Sequence, residues 1–69
     1  MSLEELCVGK QISHARLERN LSRDQLGTML GISPEQVRDF EEDRQRMPAG
    51  LLYKLADLLD LPVTAFFKH

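Results

Sequence analysis

Two arginines and six acids crowd into one short stretch of this chain. Between Ser22 and Asp43 the cations are Arg23 and Arg38, set against Asp24, Glu35, Asp39, Glu41, Glu42 and Asp43, a net charge of −4. Arg44, Gln45 and Arg46 follow directly as a polar connection with two more cations. A guanidinium offers a planar fork of donors that fits a carboxylate or a phosphate. The chemistry on offer is charge-assisted recognition rather than bond making. No nucleophile is paired with a base and no Gly-rich phosphate loop is present, so no enzyme is expected. Cys7 and His14 lie seven residues apart with no further ligand at metal spacing, so no metal or cofactor is expected either.

The elements that must hold these charges are written in capping signals. Ser22-x-x-Gln25 and Ser33-x-x-Gln36 are two capping boxes, in which the Ser oxygen accepts from the N3 amide and the Gln reaches back. Leu21 with Leu26, and Ile32 with Val37, supply the hydrophobic staples. Pro34 sits at N1, where its missing N–H costs nothing, and Gly31 can end the preceding helix in the left-handed conformation. Two helices, about 23–30 and 34–42, joined by so short a turn form a helix-turn-helix unit over residues 22–42. Gly27, mid-helix, leaves room for another backbone, with the second helix of the pair as the expected neighbour.

A first helix is expected over about 3–19, capped by Ser2 and Glu5, with Val8, Ile12 and Ala15 on one face and Arg16 beside it. A fourth, about 48–59, carries the stripe Leu52, Leu55, Ala56 and Leu59. Asp60-Leu61-Pro62 breaks it before a short fifth helix, about 63–68. The expected fold is all-α with five helices. Its core is Ile12, Leu26, Leu30, Ile32, Val37, Phe40, Leu52, Leu55, Ala56, Leu59 and Phe66, with Met29 also turned inward. Pro34, Glu35, Arg38 and Asp39 then point away from it.

Sixty-nine residues make one small domain, 1–69, of ordinary globular composition. One cysteine excludes an internal disulfide and fits a reducing cytoplasm. No apolar run approaches the ~20 residues that span a bilayer, so no membrane is expected. The N-terminus lacks the basic-then-apolar order of a signal peptide. The overall charge of −2 argues against a generic nucleic-acid glue.

From Val8 to Phe67 the chain resembles the lambda-repressor-like (Xre, Cro/CI type) helix-turn-helix regulators. The matching blocks are VGKQI ahead of Arg16, LSRDQLG, LGISPEQV, Phe40-Glu41, RMPAGLLYKLA and LDLPVTAFF. The resemblance implies a sequence-specific regulator that binds double-stranded DNA as a dimer, its third helix in the major groove. It places Ser22 and Arg23 at the phosphate backbone, where Arg23 replaces a usual Gln. It places Ser33, Pro34, Glu35, Gln36, Arg38 and Asp39 on the base-reading side, and Arg44, Gln45 and Arg46 in a loop along the other backbone. Arg16 and Glu41 match a pair that bridges the first helix to the end of the third. Leu61, Val63 and Phe67 fall where the family makes dimer contacts.

The chain also departs from the family. Asp43 replaces a Gly at the end of the third helix, so a left-handed turn there carries a side chain. Pro48 replaces a capping Ser. The acidic reading helix supports a second expectation, a helix-turn-helix used for protein contact. Glu35 and Asp39 can accept from cytosine amines, but they also face phosphate repulsion. Met47, Leu51 and Leu58 form a second apolar stripe, an alternative contact for a second copy or another protein.

Overall fold

The structure, a computed structural model, describes residues 8–67, the side chain of Phe67 excepted. The expected Ser2–Glu5 cap, the first turn of the first helix and Cys7 lie outside the described residues. Four α-helices are followed by a 3₁₀ helix: α1 Gly9–Glu18, α2 Arg23–Leu30, α3 Pro34–Glu41, α4 Ala49–Leu58 and the 3₁₀ helix Val63–Phe67. No strand occurs among the described residues. The fifth helix expected over 63–68 is therefore a tighter turn. Its Ala65 N–H donates to the Pro62 carbonyl three residues back at 2.9 Å, and so short a segment holds the 3₁₀ form.

Both capping boxes form in full. The Gln25 amide donates to Ser22 Oγ at 3.0 Å and the Ser22 amide to Gln25 Oε1 at 2.8 Å. At Ser33 the reciprocal distances with Gln36 are 3.1 and 3.0 Å. Pro48, without a side-chain donor or acceptor, caps α4 by backbone alone.

The helices end alike. Asn20, Gly31, Asp43 and Asp60 take positive φ of 57°, 76°, 58° and 57°. In each case the next amide reaches back five residues: Leu21 to Arg16, Ile32 to Gly27, Arg44 to Asp39 and Leu61 to Ala56. This is the Schellman ending, which satisfies carbonyls the helix leaves open. Its usual apolar partner residue is present at Leu21, Ile32 and Leu61, each packed half-buried against the core. That accounts for Ile32, expected in the core, lying at its edge.

The core gathers Val8, Ile12, Ala15, Leu26, Leu30, Val37, Phe40, Met47, Leu52, Leu55, Ala56, Leu59 and Phe66. Two further apolar residues depart from expectation. Met29, expected inward, is 36% exposed, while Met47, expected on a surface stripe, is 7% exposed and part of the core. Met47 precedes α4, so helical spacing with Leu51 and Leu58 does not govern where it points. With Leu51 half-buried and only Leu58 clearly exposed, the proposed second contact stripe does not exist as a surface.

Gly27 allows a close approach, but from the turn rather than from the body of α3. A Cβ built there would lie 2.7 Å from the Ile32 carbonyl oxygen, whereas one on Gly50 would meet nothing within 4 Å. Gly27→Ala should therefore lower stability by about 1–3 kcal/mol, because the clash is with backbone. Gly50→Ala should raise it by about 0.5–1 kcal/mol through helix propensity and a restricted unfolded chain. Urea unfolding of the two variants reads both signs.

Candidate nucleic-acid interface

At the open end of the helix-turn-helix is a buried carboxylate. Glu41, the last residue of α3, has a side chain only 2% exposed. Its Oε2 accepts from Arg16 Nε at 2.6 Å, and its Oε1 from the same guanidinium's NH2 at 3.2 Å. Arg16, 9% exposed at its side chain, also donates through NH1 to the Leu21 carbonyl at 2.8 Å. One guanidinium thereby ties α1 to the end of α3 and to the chain entering α2. A third donor completes the cluster: Arg23 Nε meets Glu41 Oε1 at 3.0 Å, its side chain 39% exposed. No buried side-chain polar atom among the described residues is left without a partner.

A second tether joins the same helix end to α1. The Gly9 amide, at the start of α1, donates to Asp43 Oδ1 at 3.1 Å. Asp43 is left-handed, as the end of α3 requires, and its side chain serves as a cap for a helix 34 residues away. Gly9 is needed there because a Cβ would overlap the Glu41 carbonyl oxygen. Arg19, outside the expected site, links the end of α1 to the end of α4 by donating to the Leu59 carbonyl at 3.1 Å. The Gly9–Asp43 cap had no sequence signal beyond a glycine and a turn-forming acid, and the Arg19–Leu59 link had none.

The residues expected at the recognition face divide by environment. Ser22, Ser33 and Gln36 have their side-chain oxygens engaged in the capping boxes. Glu35 and Arg38 are exposed, Pro34 and Asp39 half-buried. Arg23, Pro34, Glu35 and Arg38 come together along one shallow groove of about 150 Å³. Arg44, Gln45 and Arg46 are exposed on the following loop, where Arg44 Nε pairs with Glu42 Oε1 at 3.1 Å. Leu61 and Val63 lie half-buried against the core, and the Phe67 side chain lies outside the described residues.

The acidity of the stretch is thus partly turned inward. Glu41 is buried between two arginines, Asp43 caps α1 and Glu42 pairs with Arg44. The exposed ion pair and the buried one should behave differently. Arg44→Ala should change stability by no more than about 1 kcal/mol. Arg16→Ala should cost about 3–5 kcal/mol, because it leaves Glu41 buried without its main partner. Denaturant midpoints of the two variants give the comparison, and equal small effects would make the Arg16 bridge a surface pair in energetic terms.

Comparison with known proteins follows the geometry. A helix-turn-helix family model matches residues 12–66, most of the chain. The chain is 31% identical over 64 residues to the uncharacterized HTH-type transcriptional regulator y4aM of Sinorhizobium fredii, covering 93% of this chain and 45% of that protein. It is 33% identical over 61 residues to the uncharacterized HTH-type transcriptional regulator RC0668 of Rickettsia conorii, covering 88% and 49%. It is 32% identical over 61 residues to an uncharacterized transcriptional regulator in the ATPase CF(0) region of Rhodospirillum rubrum, covering 88% and 56%. The chain thus spans about half the length of these relatives. No solved structure gives a significant match. With two capping boxes around a glycine turn and a family match from Ile12 to Phe66, the chain belongs to the lambda-repressor-like (Xre, Cro/CI type) helix-turn-helix family.

Proposed function

We propose that this chain is the DNA-binding part of a transcriptional regulator, with α3 entering the major groove. The observation that carries the reading is the outward face of α3. Glu35 and Arg38 are exposed there and share a groove with Arg23 and Pro34, Arg44–Arg46 follow exposed on the next loop, and the helix is anchored by buried Glu41. Arginines beside α3 and on the loop after it suit phosphate backbones that border a groove, and the exposed residues of α3 suit base edges. Arg38, the cation on the exposed face of α3, can donate two bonds to guanine O6 and N7. The named relatives are transcriptional regulators, which supports the same reading.

Dimerisation on a palindromic operator belongs to this proposal. Half-sites about 34–36 Å apart would be read by two copies, joined through the corner that carries Leu61, Val63 and Phe67. Leu61 and Val63 lie half-buried at the core's edge there, while Met47 is interior.

A second reading, a protein-contact surface, draws on Glu35 and Asp39, acids of α3 that form no ion pair among the described residues. Charge variants separate the two. Fluorescence polarisation should be run on a duplex selected from a random pool and on an unrelated duplex, each at two salt concentrations. Arg38→Ala should lose about 1–3 kcal/mol of discrimination at one base pair per half-site. Arg46→Ala should weaken binding to both duplexes and reduce the salt slope by about one unit. Glu35→Gln and Asp39→Asn should raise affinity for the unrelated duplex. If either acid accepts from a cytosine amine, its amide variant should lose specificity on the selected one. Wild-type protein that binds no duplex in low salt, beside a doubly neutralised variant that does, would establish the protein-contact reading.

A further inference from the structure

Arg23 does more than supply a charge at the edge of the interface. It is the first residue of α2, and Glu41 is the last residue of α3. The two helices are joined at the other end by the turn through Gly31 and Ile32, held where Gly27 admits the Ile32 carbonyl. The Arg23 Nε–H bond to Glu41 Oε1 at 3.0 Å closes the open end of the pair. It lands on a carboxylate that Arg16 already fixes from the opposite element, α1. Among the described residues, Glu41 is the one hydrogen-bond partner recorded for the Arg23 side chain. The group lines both the groove with Pro34, Glu35 and Arg38 and a larger groove of about 480 Å³ with Lys10, Ser13 and His14. A guanidinium has five N–H donors, and Nε uses one. The terminal nitrogens are left for an anion, in an orientation that Glu41 sets.

Resting on the DNA-binding reading above, we propose that Arg23 is a positioning residue for α3. It straps the start of α2 to the end of α3 through Glu41 while its terminal nitrogens meet a DNA phosphate. Phosphate binding at α2 and the pose of α3 are thereby mechanically linked. A lysine at position 23 keeps the charge but lacks the fork, so it can serve the phosphate without the strap.

The test uses the 69-residue chain and its Arg23→Lys and Arg23→Gln variants, with folding of each checked by its unfolding midpoint. Affinities are measured on a duplex selected from a random pool and on an unrelated duplex of equal length, at two salt concentrations. Arg23→Lys should keep the salt slope of the wild type on unrelated duplex to within about half a unit. It should lower the ratio of selected to unrelated affinity by about threefold or more, the low end of coupling between contacting residues. Arg23→Gln should lower that ratio as well and also lose about one unit of slope. A wild-type ratio in Arg23→Lys, or equal losses on both duplexes in Arg23→Gln, overturns the positioning role and leaves a simple phosphate contact. In the free protein, the Arg23 Nε–H should give a slowly exchanging NMR signal that disappears in Glu41→Gln or in Arg23→Lys. Its absence from the wild type overturns the strap without reference to DNA. A wild type that shows this signal but binds no duplex overturns the DNA reading and the recognition role of Arg23 together, and the strap is then a fold element.

Discussion

A single carboxylate, Glu41, sets where the helix-turn-helix sits. Burying a charge costs several kcal/mol unless its oxygens are fully engaged, and here three guanidinium nitrogens from two arginines engage them. The donors come from α1 and α2, and the acceptor ends α3. Any displacement of α3 would stretch bonds that the buried charge cannot do without. Apolar packing of Leu26, Leu30, Val37 and Phe40 holds the same helix by volume, but apolar contacts are non-directional. The ion cluster adds direction, and the Gly9–Asp43 cap repeats the constraint just past the end of α3.

The same cluster changes what the acidic stretch means. Read as a string of charges, residues 22–43 repel a phosphate backbone. In three dimensions Glu41 is buried between two arginines, Asp43 caps the start of α1 while staying exposed, and Glu42 sits beside Arg44. Glu35 and Asp39 remain on α3 and Asp24 stays exposed on α2. On the proposed reading, such a surface should bind arbitrary duplex weakly, because the salt-dependent phosphate term is small. Whatever affinity it has must come from the few side chains that meet base edges. Low background binding is an advantage to a regulator that must find few sites among many.

Local signals were legible in the sequence, and distant ones were not. The capping boxes at Ser22 and Ser33, the left-handed Gly31 and the stripe on α4 each depend on residues within a few positions of one another. Each could be read off by spacing. The left-handed turn at Asp43 was legible too, but its bond to Gly9 spans 34 residues and obeys no period. Arg23 was read as a phosphate ligand because only its charge is visible in sequence; its hold on Glu41 depends on how α2 and α3 cross. Met47 failed for a different reason. A helical period was extended to a residue that lies ahead of the helix, where the chain is free to turn it inward. The fifth helix failed because five residues after a proline close i to i+3 bonds more readily than a full α-turn.

On the proposed reading, α3, pinned by Glu41, is the surface that meets DNA. The most direct test is an NMR titration of the isotope-labelled chain with a duplex selected from a random pool. The expected result is that amide shifts concentrate at Glu35, Gln36, Arg38 and Asp39, with a second group at Arg44–Arg46 and a third at Arg23. Shifts confined to the groove between α1 and the 3₁₀ helix, around Glu18, Ala65 and Phe66, would contradict it. So would a spectrum that no duplex perturbs.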